Sequence, residues 1–154
     1  MPNKADPNQC SGGLESGELP VSSMGFDGDE MAIIAVARLY FLTFSEPETQ
    51  AWMRAGALAR AHFAARGDGI AARILEAVNE LRLARASAFE FSNPECPCCA
   101  EVLCESERRF MEAFRAIRAA RASTAHAQAL MLCEGGDIAY LLEALADLAI
   151  ALDR

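Results

Sequence analysis

Hydrophobic and polar residues alternate along most of the chain with the period of amphipathic α-helices. The clearest case is the C-terminal segment, where apolar residues recur at near-heptad spacing: Ile138, Leu141, Leu142, Leu145, Leu148 and Leu152. A different pattern occupies residues 31–44, "MAIIAVARLYFLTF", which are apolar almost all round. A helix without a polar face is buried on several sides, so we expect this one at the centre of a bundle or in a subunit interface.

The whole pattern predicts about five helices in a compact bundle. They are expected at about 29–44, 46–66, 68–88, from about 105 toward Cys133, and from Asp137 to the end. Helix two carries a stripe whose small residues would let a neighbouring helix approach closely: Trp52, Ala55, Gly56, Ala59, His62 and Phe63. Helix four either continues to Cys133 or breaks at 122–125.

Composition supports an all-α fold. Alanine, leucine, arginine and glutamate favour helices and are abundant here, whereas aromatic residues make up 7% of the chain. Residues 28–154 are long enough for a single helical domain with its own core. Residues 1–27 are rich in Gly, Pro, Ser, Asn and Asp, which predicts a disordered acidic tail in which Cys10 is incidental.

The formal net charge of −8 makes nucleic acid an unlikely partner, because neutralisation of phosphates dominates that kind of affinity. One local exception lies in helix four, which carries Arg108, Arg109, Arg115, Arg118 and Arg121. A run of this kind is usually the solvated face of a helix. A transcriptional regulator that uses this arginine-rich face is kept as the second alternative function.

The chain shows no secretory signal pattern, and its most apolar run is interrupted by Arg38. That run is about 14 residues long, too short to span a bilayer. We therefore expect a cytoplasmic protein that has no membrane partner and whose thiols stay reduced.

Residues 93–107, "NPECPCCAEVLCESE", hold four of the six cysteines. The run Cys96-Pro97-Cys98-Cys99-Ala100 and the Leu103 that follows resemble a zinc knuckle, whose usual form is Cys-Pro-x-Cys-Gly-x-x-Leu. Ala100 stands where that motif has glycine. The resemblance covers about eight residues and implies that Cys96 and Cys99 are zinc ligands.

A structural zinc ion takes four ligands, so two more are needed. Cys98 is a candidate, although adjacent cysteines seldom share one tetrahedral ion. Cys104 has the spacing of a capping box with Glu107, and a thiol at a helix N-terminus is more acidic than usual. The sequence leaves Cys104 open as a ligand, a cap or a reactive thiolate.

Other sources could complete the site. Cys133, His62 and His126 are available, although Cys133 is within reach only if helix four folds back. A second subunit is a further option, since Cys-Pro-x-Cys also resembles, in those four residues, the zinc hook of coiled-coil DNA-repair ATPases. In that family each subunit gives two cysteines to one shared zinc, which for this chain would imply a homodimer.

The chain shows no phosphate-binding loop, Gly-x-Ser-x-Gly or His-Glu-x-x-His motif, so we expect no enzyme. The preferred hypothesis is a small cytoplasmic helical regulatory or adaptor protein. It would act through contacts with an unknown protein partner and as a homodimer, with a structural zinc ion at the knuckle. The alternative is a thiol redox or metal-sensing protein that uses the same cysteines.

Overall fold

The computed structural model describes residues 14–154, and the predicted disorder of residues 1–13 lies outside this range. The described chain forms seven helices and two short strands. The helices are α1 (Gly28–Ser45), α2 (Ala51–Phe63), α3 (Gly67–Ala84), α4 (Pro97–Ala100), α5 (Glu105–Arg118), α6 (Ala122–Leu132) and α7 (Ala139–Leu152). The strands are β1 (Leu19–Pro20) and β2 (Val102–Leu103), which pair antiparallel. The predicted all-α fold is confirmed.

Helix α1 is the centre of the bundle and packs against α2, α3 and α5. Helix α3 packs in turn on α7, and α5 packs on α6. The side chains of α1 are buried on several sides from Ala32 to Leu42, as its continuous apolar sequence predicts. Its N-terminus is closed by a capping box in which Asp27 and Glu30 exchange side-chain and backbone hydrogen bonds.

Four phenylalanines form the middle of the core. Phe41 of α1 stacks on Phe89 with a centroid distance of 4.3 Å, and the rings of Phe91 and Phe110 also lie around it. All four side chains are fully buried. Phe89 and Phe91 belong to the connection between α3 and α4, so the core fixes the segment that leads into the cysteines.

Helix two begins later than predicted. Pro47–Thr49 form a 3-10 turn, and Gln50 adopts a left-handed conformation with φ of +52°, so α2 starts at Ala51. The buried face of α2 also differs from the predicted stripe. Ala55, Ala59 and Phe63 are buried as expected, but Trp52 is 55% exposed and its neighbour Ala51 occupies the buried position.

Helix four does not continue unbroken to Cys133; it breaks at 119–121, just before the alternative position 122–125. Helix α5 ends at Arg118 and α6 begins at Ala122, with Ala120 in a left-handed conformation, φ +55°. The N–H of Arg121 donates to the Ala116 carbonyl, and the N–H of Ala120 donates to the Ile117 carbonyl. These two hydrogen bonds form a Schellman motif, which closes the end of α5.

Part of the predicted disordered tail is structured. Strand β1 pairs with β2 in the register Leu19 with Leu103 and Pro20 with Val102, and a 3-10 turn follows at Val21–Met24. The Val21 side chain is buried. Residues 19–24 are therefore part of the folded domain.

None of the helices within residues 14–154 combines the length and the hydrophobicity needed to cross a membrane.

Candidate metal centre

The segment between α3 and α5 places the cysteines in one compact turn, which we call the cysteine turn (residues 93–103). The Asn93 side chain accepts a hydrogen bond from the Glu95 N–H, and the Asn93 carbonyl accepts one from the Cys96 N–H. Pro97 then occupies the first position of α4, where its fixed φ angle suits a helix start. This local chemistry turns the chain sharply at Cys96.

Three sulfurs meet at this turn. The Sγ atoms of Cys96, Cys98 and Cys99, here called the sulfur cluster, all lie within 4.8 Å of one another. The distance between the sulfurs of Cys96 and Cys98 is 3.3 Å. Cys96 is buried, Cys99 is half-buried and Cys98 is exposed. The three residues lie close enough together to bind a metal ion, including the adjacent pair Cys98 and Cys99.

Hydrogen bonds within the turn favour a thiolate at Cys96. The Cys99 thiol and the backbone N–H groups of Cys99 and Cys98 donate to its sulfur, which lowers the pKa of Cys96. Burial and the hydrogen bond to Cys96 raise the pKa of Cys99 to about 11. The turn thus points backbone N–H donors at the Cys96 sulfur, as expected of a zinc knuckle. The Cys99 thiol keeps its proton, which a bound metal ion would displace.

Cys98 takes part in a disulfide bond in this structure. A metal ligand must be a thiolate, so the Cys98 sulfur can bind a metal ion only in the reduced protein.

Cys104 lies just after β2 and caps α5. Its backbone N–H donates to the Glu107 carboxylate at 3.0 Å, which is half of the predicted capping box. Its thiol donates to the Glu90 carbonyl at 3.2 Å. Of the four predicted site residues, the structure brings Cys96, Cys98 and Cys99 together and does not bring Cys104 into the group.

The three remaining candidate ligands lie elsewhere. The Nε2 atom of His62 lies 2.9 Å from the Asp29 carboxylate, within hydrogen-bond distance. His126 is on the exposed side of α6. Cys133 is buried at the end of α6, and burial raises its pKa to about 11. None of these side chains joins the sulfur cluster within the described part of the chain.

A buried arginine attaches the cysteine turn to the bundle. Arg38 of α1 donates hydrogen bonds to the carbonyls of Ala100 and Val102, each at 2.7 Å. Its guanidinium also pairs with the Glu107 carboxylate at 2.7 Å. The side chains of Arg38 and Glu107 are 5% and 0% exposed, so the pair is almost fully removed from water. We call this arrangement the Arg38 clamp.

Sequence reasoning missed the Arg38 clamp. The sequence pattern presents Arg38 as an interruption in an apolar run and Glu107 as part of a helix cap. A single charged residue inside an otherwise apolar helix was the available signal, because such a residue needs a buried partner of opposite charge. Its partner could not be chosen from the sequence, since 69 positions separate the two residues.

The arginine-rich face of predicted helix four is largely occupied by acidic residues of the same chain. The ion pairs are Arg109 with Glu105, Arg115 with Glu30, and Arg118 with Asp27 and Glu30. The contacts of Arg115 and Arg118 connect α5 to the start of α1, and all of these pairs neutralise part of the local positive charge.

Comparison with protein-family models found no match, and neither the curated proteins nor the solved structures gave a significant match. The chemistry of the cysteine turn therefore carries the functional argument.

Proposed function

We propose that the protein is a zinc-binding helical adaptor, in which the sulfur cluster holds a structural zinc ion at one end of the bundle. The observation that carries the proposal is the convergence of the sulfurs of Cys96, Cys98 and Cys99 within 4.8 Å. Zinc is the metal that suits such a site best, because clustered thiolates are soft ligands and structural zinc sites are commonly built from cysteines.

The surroundings of the sulfur cluster support a structural role for the metal. The Arg38 clamp fixes the backbone on the C-terminal side of the turn, and Phe89 and Phe91 anchor the segment before it. The intervening residues 93–99 have little apolar side chain to bury. A metal ion bound by three of their sulfurs would supply the missing stabilisation.

The adaptor role is supported by large apolar side chains on the helix surfaces. Trp52, Met53 and Tyr140 are each more than half exposed. Aromatic residues and methionine are the types that contribute most at protein interfaces. The proposed partner is a protein, and a second copy of this chain is the first candidate. Sedimentation velocity would show a dimer in that case, and a monomer at all concentrations would exclude the homodimer.

Zinc content tests the proposal. Elemental analysis of protein purified under reducing conditions should give one zinc per chain, or one per two chains if two copies share the ion. Cys99→Ser should lose most of this zinc because it removes one of the three sulfurs. Cys133→Ser is the matched control, since Cys133 lies outside the sulfur cluster, and it should retain the metal. Wild-type protein that contains no zinc and binds none when zinc is supplied would contradict the proposal.

A thiol redox function is the second candidate, and the state of the cysteines favours it. Cys98 is in a disulfide, and Cys96 has the lowered pKa of a reactive thiol. Redox proteins of the thioredoxin type set Cys-x-x-Cys on a βαβ framework, however, and this bundle has none in residues 14–154. Thiol titration separates the two functions: a redox protein would show a reversible dithiol–disulfide pair in the absence of metal.

A further inference from the structure

A cavity lies at the end of α3, before the chain enters the cysteine turn. It has a volume of about 270 Å³ and is lined by Phe44 of α1, Arg82 of α3 and residues 85–89. The volume equals that of about nine molecules of liquid water, which suits a small organic ligand. None of the lining residues is a candidate metal ligand, so the cavity is separate from the sulfur cluster. We call it the arginine cavity.

Two guanidinium groups form part of its wall, and each lies near an aromatic ring. The Arg82 guanidinium is 4.6 Å from the centroid of Phe44, and that of Arg85 is 5.6 Å from the centroid of Phe89. An arginine can contact an aromatic ring and bind a carboxylate at the same time, because its N–H donors lie in the plane of the guanidinium. The rings therefore help to hold both cations at the cavity in a form suited to an anion.

Arg82 forms no ion pair within residues 14–154. Its hydrogen bond goes to the side-chain oxygen of Asn79 at 3.1 Å, and that group is neutral. The protein as a whole carries a formal net charge of −8. An arginine that keeps its charge at the wall of a cavity attracts anions from solution.

Arg85 is fixed in position by the end of α6. Its guanidinium donates to the Leu132 carbonyl and, at 3.1 Å, to the Ser87 hydroxyl. It also lies 3.4 Å from the Glu134 carboxylate, which accepts hydrogen bonds from the Ser87 hydroxyl at 2.6 Å and the Ser87 N–H at 3.1 Å. These contacts order the wall in the absence of a ligand, which lowers the entropic cost of binding.

One donor of Arg85 has an unmet hydrogen bond. Its Nε atom is buried and has no hydrogen-bond acceptor within residues 14–154. Buried N–H groups are normally paired, because an unpaired one has lost its water without gaining a new acceptor. An oxyanion in the cavity would bring acceptors to this guanidinium.

The charges at the arginine cavity favour a ligand with a single negative charge. Arg82 and Arg85 contribute two positive charges, and Glu134 beside Arg85 contributes one negative charge, which leaves a local net charge of +1. A carboxylate matches this charge, and its two oxygens suit the donors of a guanidinium. The half-buried ring of Phe44 offers a contact for an apolar group attached to the carboxylate.

We propose that the arginine cavity binds a small organic monocarboxylate. Arg82 and Arg85 bind the carboxylate, and Phe44 contacts the apolar part of the ligand. Residues 86–88 are exposed, so the ligand can enter from solution. This site goes beyond the proposed zinc-binding function and does not depend on it.

An NMR titration of the full chain, followed by the amide signals of residues 85–89, tests the site with benzoate as the probe. The wild type should show saturable binding of benzoate. Benzamide has nearly the same shape but no charge, and should bind at least roughly 10-fold more weakly. Inorganic phosphate should also bind more weakly than benzoate, because it carries more negative charge at pH 8 and has no apolar group.

Substitution of Arg82 tests the assignment of the ligand's carboxylate. Arg82→Gln should weaken benzoate binding at least roughly 10-fold, because it removes a charged donor. Arg73→Gln is the matched control, since Arg73 is an exposed arginine of the same helix outside the cavity, and it should bind benzoate as the wild type does. Arg82 is itself exposed, so its substitution should leave the fold intact, which far-UV circular dichroism checks.

Three outcomes would each overturn the inference: no saturable binding of benzoate by the wild type, equal affinities for benzoate and benzamide, or wild-type affinity in Arg82→Gln. Tighter binding of phosphate than of benzoate would exclude a monocarboxylate as the ligand class. The comparison of the three probes needs only the wild type, so it decides the question even if Arg82→Gln does not fold. None of these measurements involves zinc, and failure of the proposed function would leave them unchanged.

Discussion

At the scale of single residues, the cap of α5 was predictable and the Arg38 clamp was not. The spacing of Cys104 and Glu107 encodes the cap, since both groups lie within one helical turn. The clamp depends on a contact between helices that are far apart in sequence. The position of the Cys98 sulfur was only partly predictable. Adjacent cysteines seldom bind one ion, yet the single turn of α4 brings the sulfurs of Cys98 and Cys99 within 4.8 Å of each other.

The Arg38 clamp predicts a large loss of stability when its cation is removed. Arg38→Met would leave the Glu107 carboxylate buried and unpaired, so the free energy of unfolding in urea should fall by about 3–5 kcal/mol. Arg60→Met is the matched control. It breaks an ion pair with Asp68 in which both side chains are exposed, and should cost less than about 1 kcal/mol. Equal effects of the two substitutions would show that the clamp does not stabilise the fold.

At the scale of helices and strands, the sequence predicted which segments are helical better than where they begin and end. The α7 heptad pattern and the continuous apolar run of α1 both led to the correct helices, because burial against neighbours produces these patterns directly. The predicted buried face of α2 is wrong at Trp52, whose side chain is exposed, whereas that of Ala51 is buried. Side chains of successive helix residues point about 100° apart, so the two neighbours lie on different faces. Ala51 and Trp52 are both apolar, so hydrophobicity alone did not show which of the two side chains is buried.

The end of α5 shows why the sequence could not locate the helix break. A helix that ends in a Schellman motif usually has glycine at the left-handed position, and here the residue is Ala120. Nothing at 119–121 therefore resembles a stop signal in the sequence. The hydrogen bonds of Ala120 and Arg121 to α5 impose the break in spite of the alanine side chain.

Substitution of that alanine gives a prediction for this element. Ala120→Gly should raise the free energy of unfolding by about 1 kcal/mol, because glycine avoids the cost of a left-handed conformation. Ala119→Gly is the control at the adjacent exposed position, where φ is −86°, and should be neutral or destabilising by up to about 1 kcal/mol. Chemical denaturation compares the two variants. A destabilised Ala120→Gly protein would rule out this interpretation of the break.

At the scale of the whole molecule, composition and periodicity were sufficient for the fold class but not for the small β1–β2 pair. Each strand has two residues, too few for a pattern of alternation, and the two lie more than 80 positions apart in the sequence. That pair nonetheless decides how the N-terminal segment lies against the cysteine turn. The prediction that Cys10 is incidental lies outside the described residues.

Zinc K-edge X-ray absorption of the reduced, zinc-loaded chain tests most directly whether the cysteine turn is a thiolate metal centre. Binding by the sulfur cluster should give sulfur neighbours at about 2.3 Å from the zinc ion. A shell composed only of nitrogen and oxygen at about 2.0–2.2 Å, or a protein that retains no zinc, would contradict a zinc site built from the sulfur cluster.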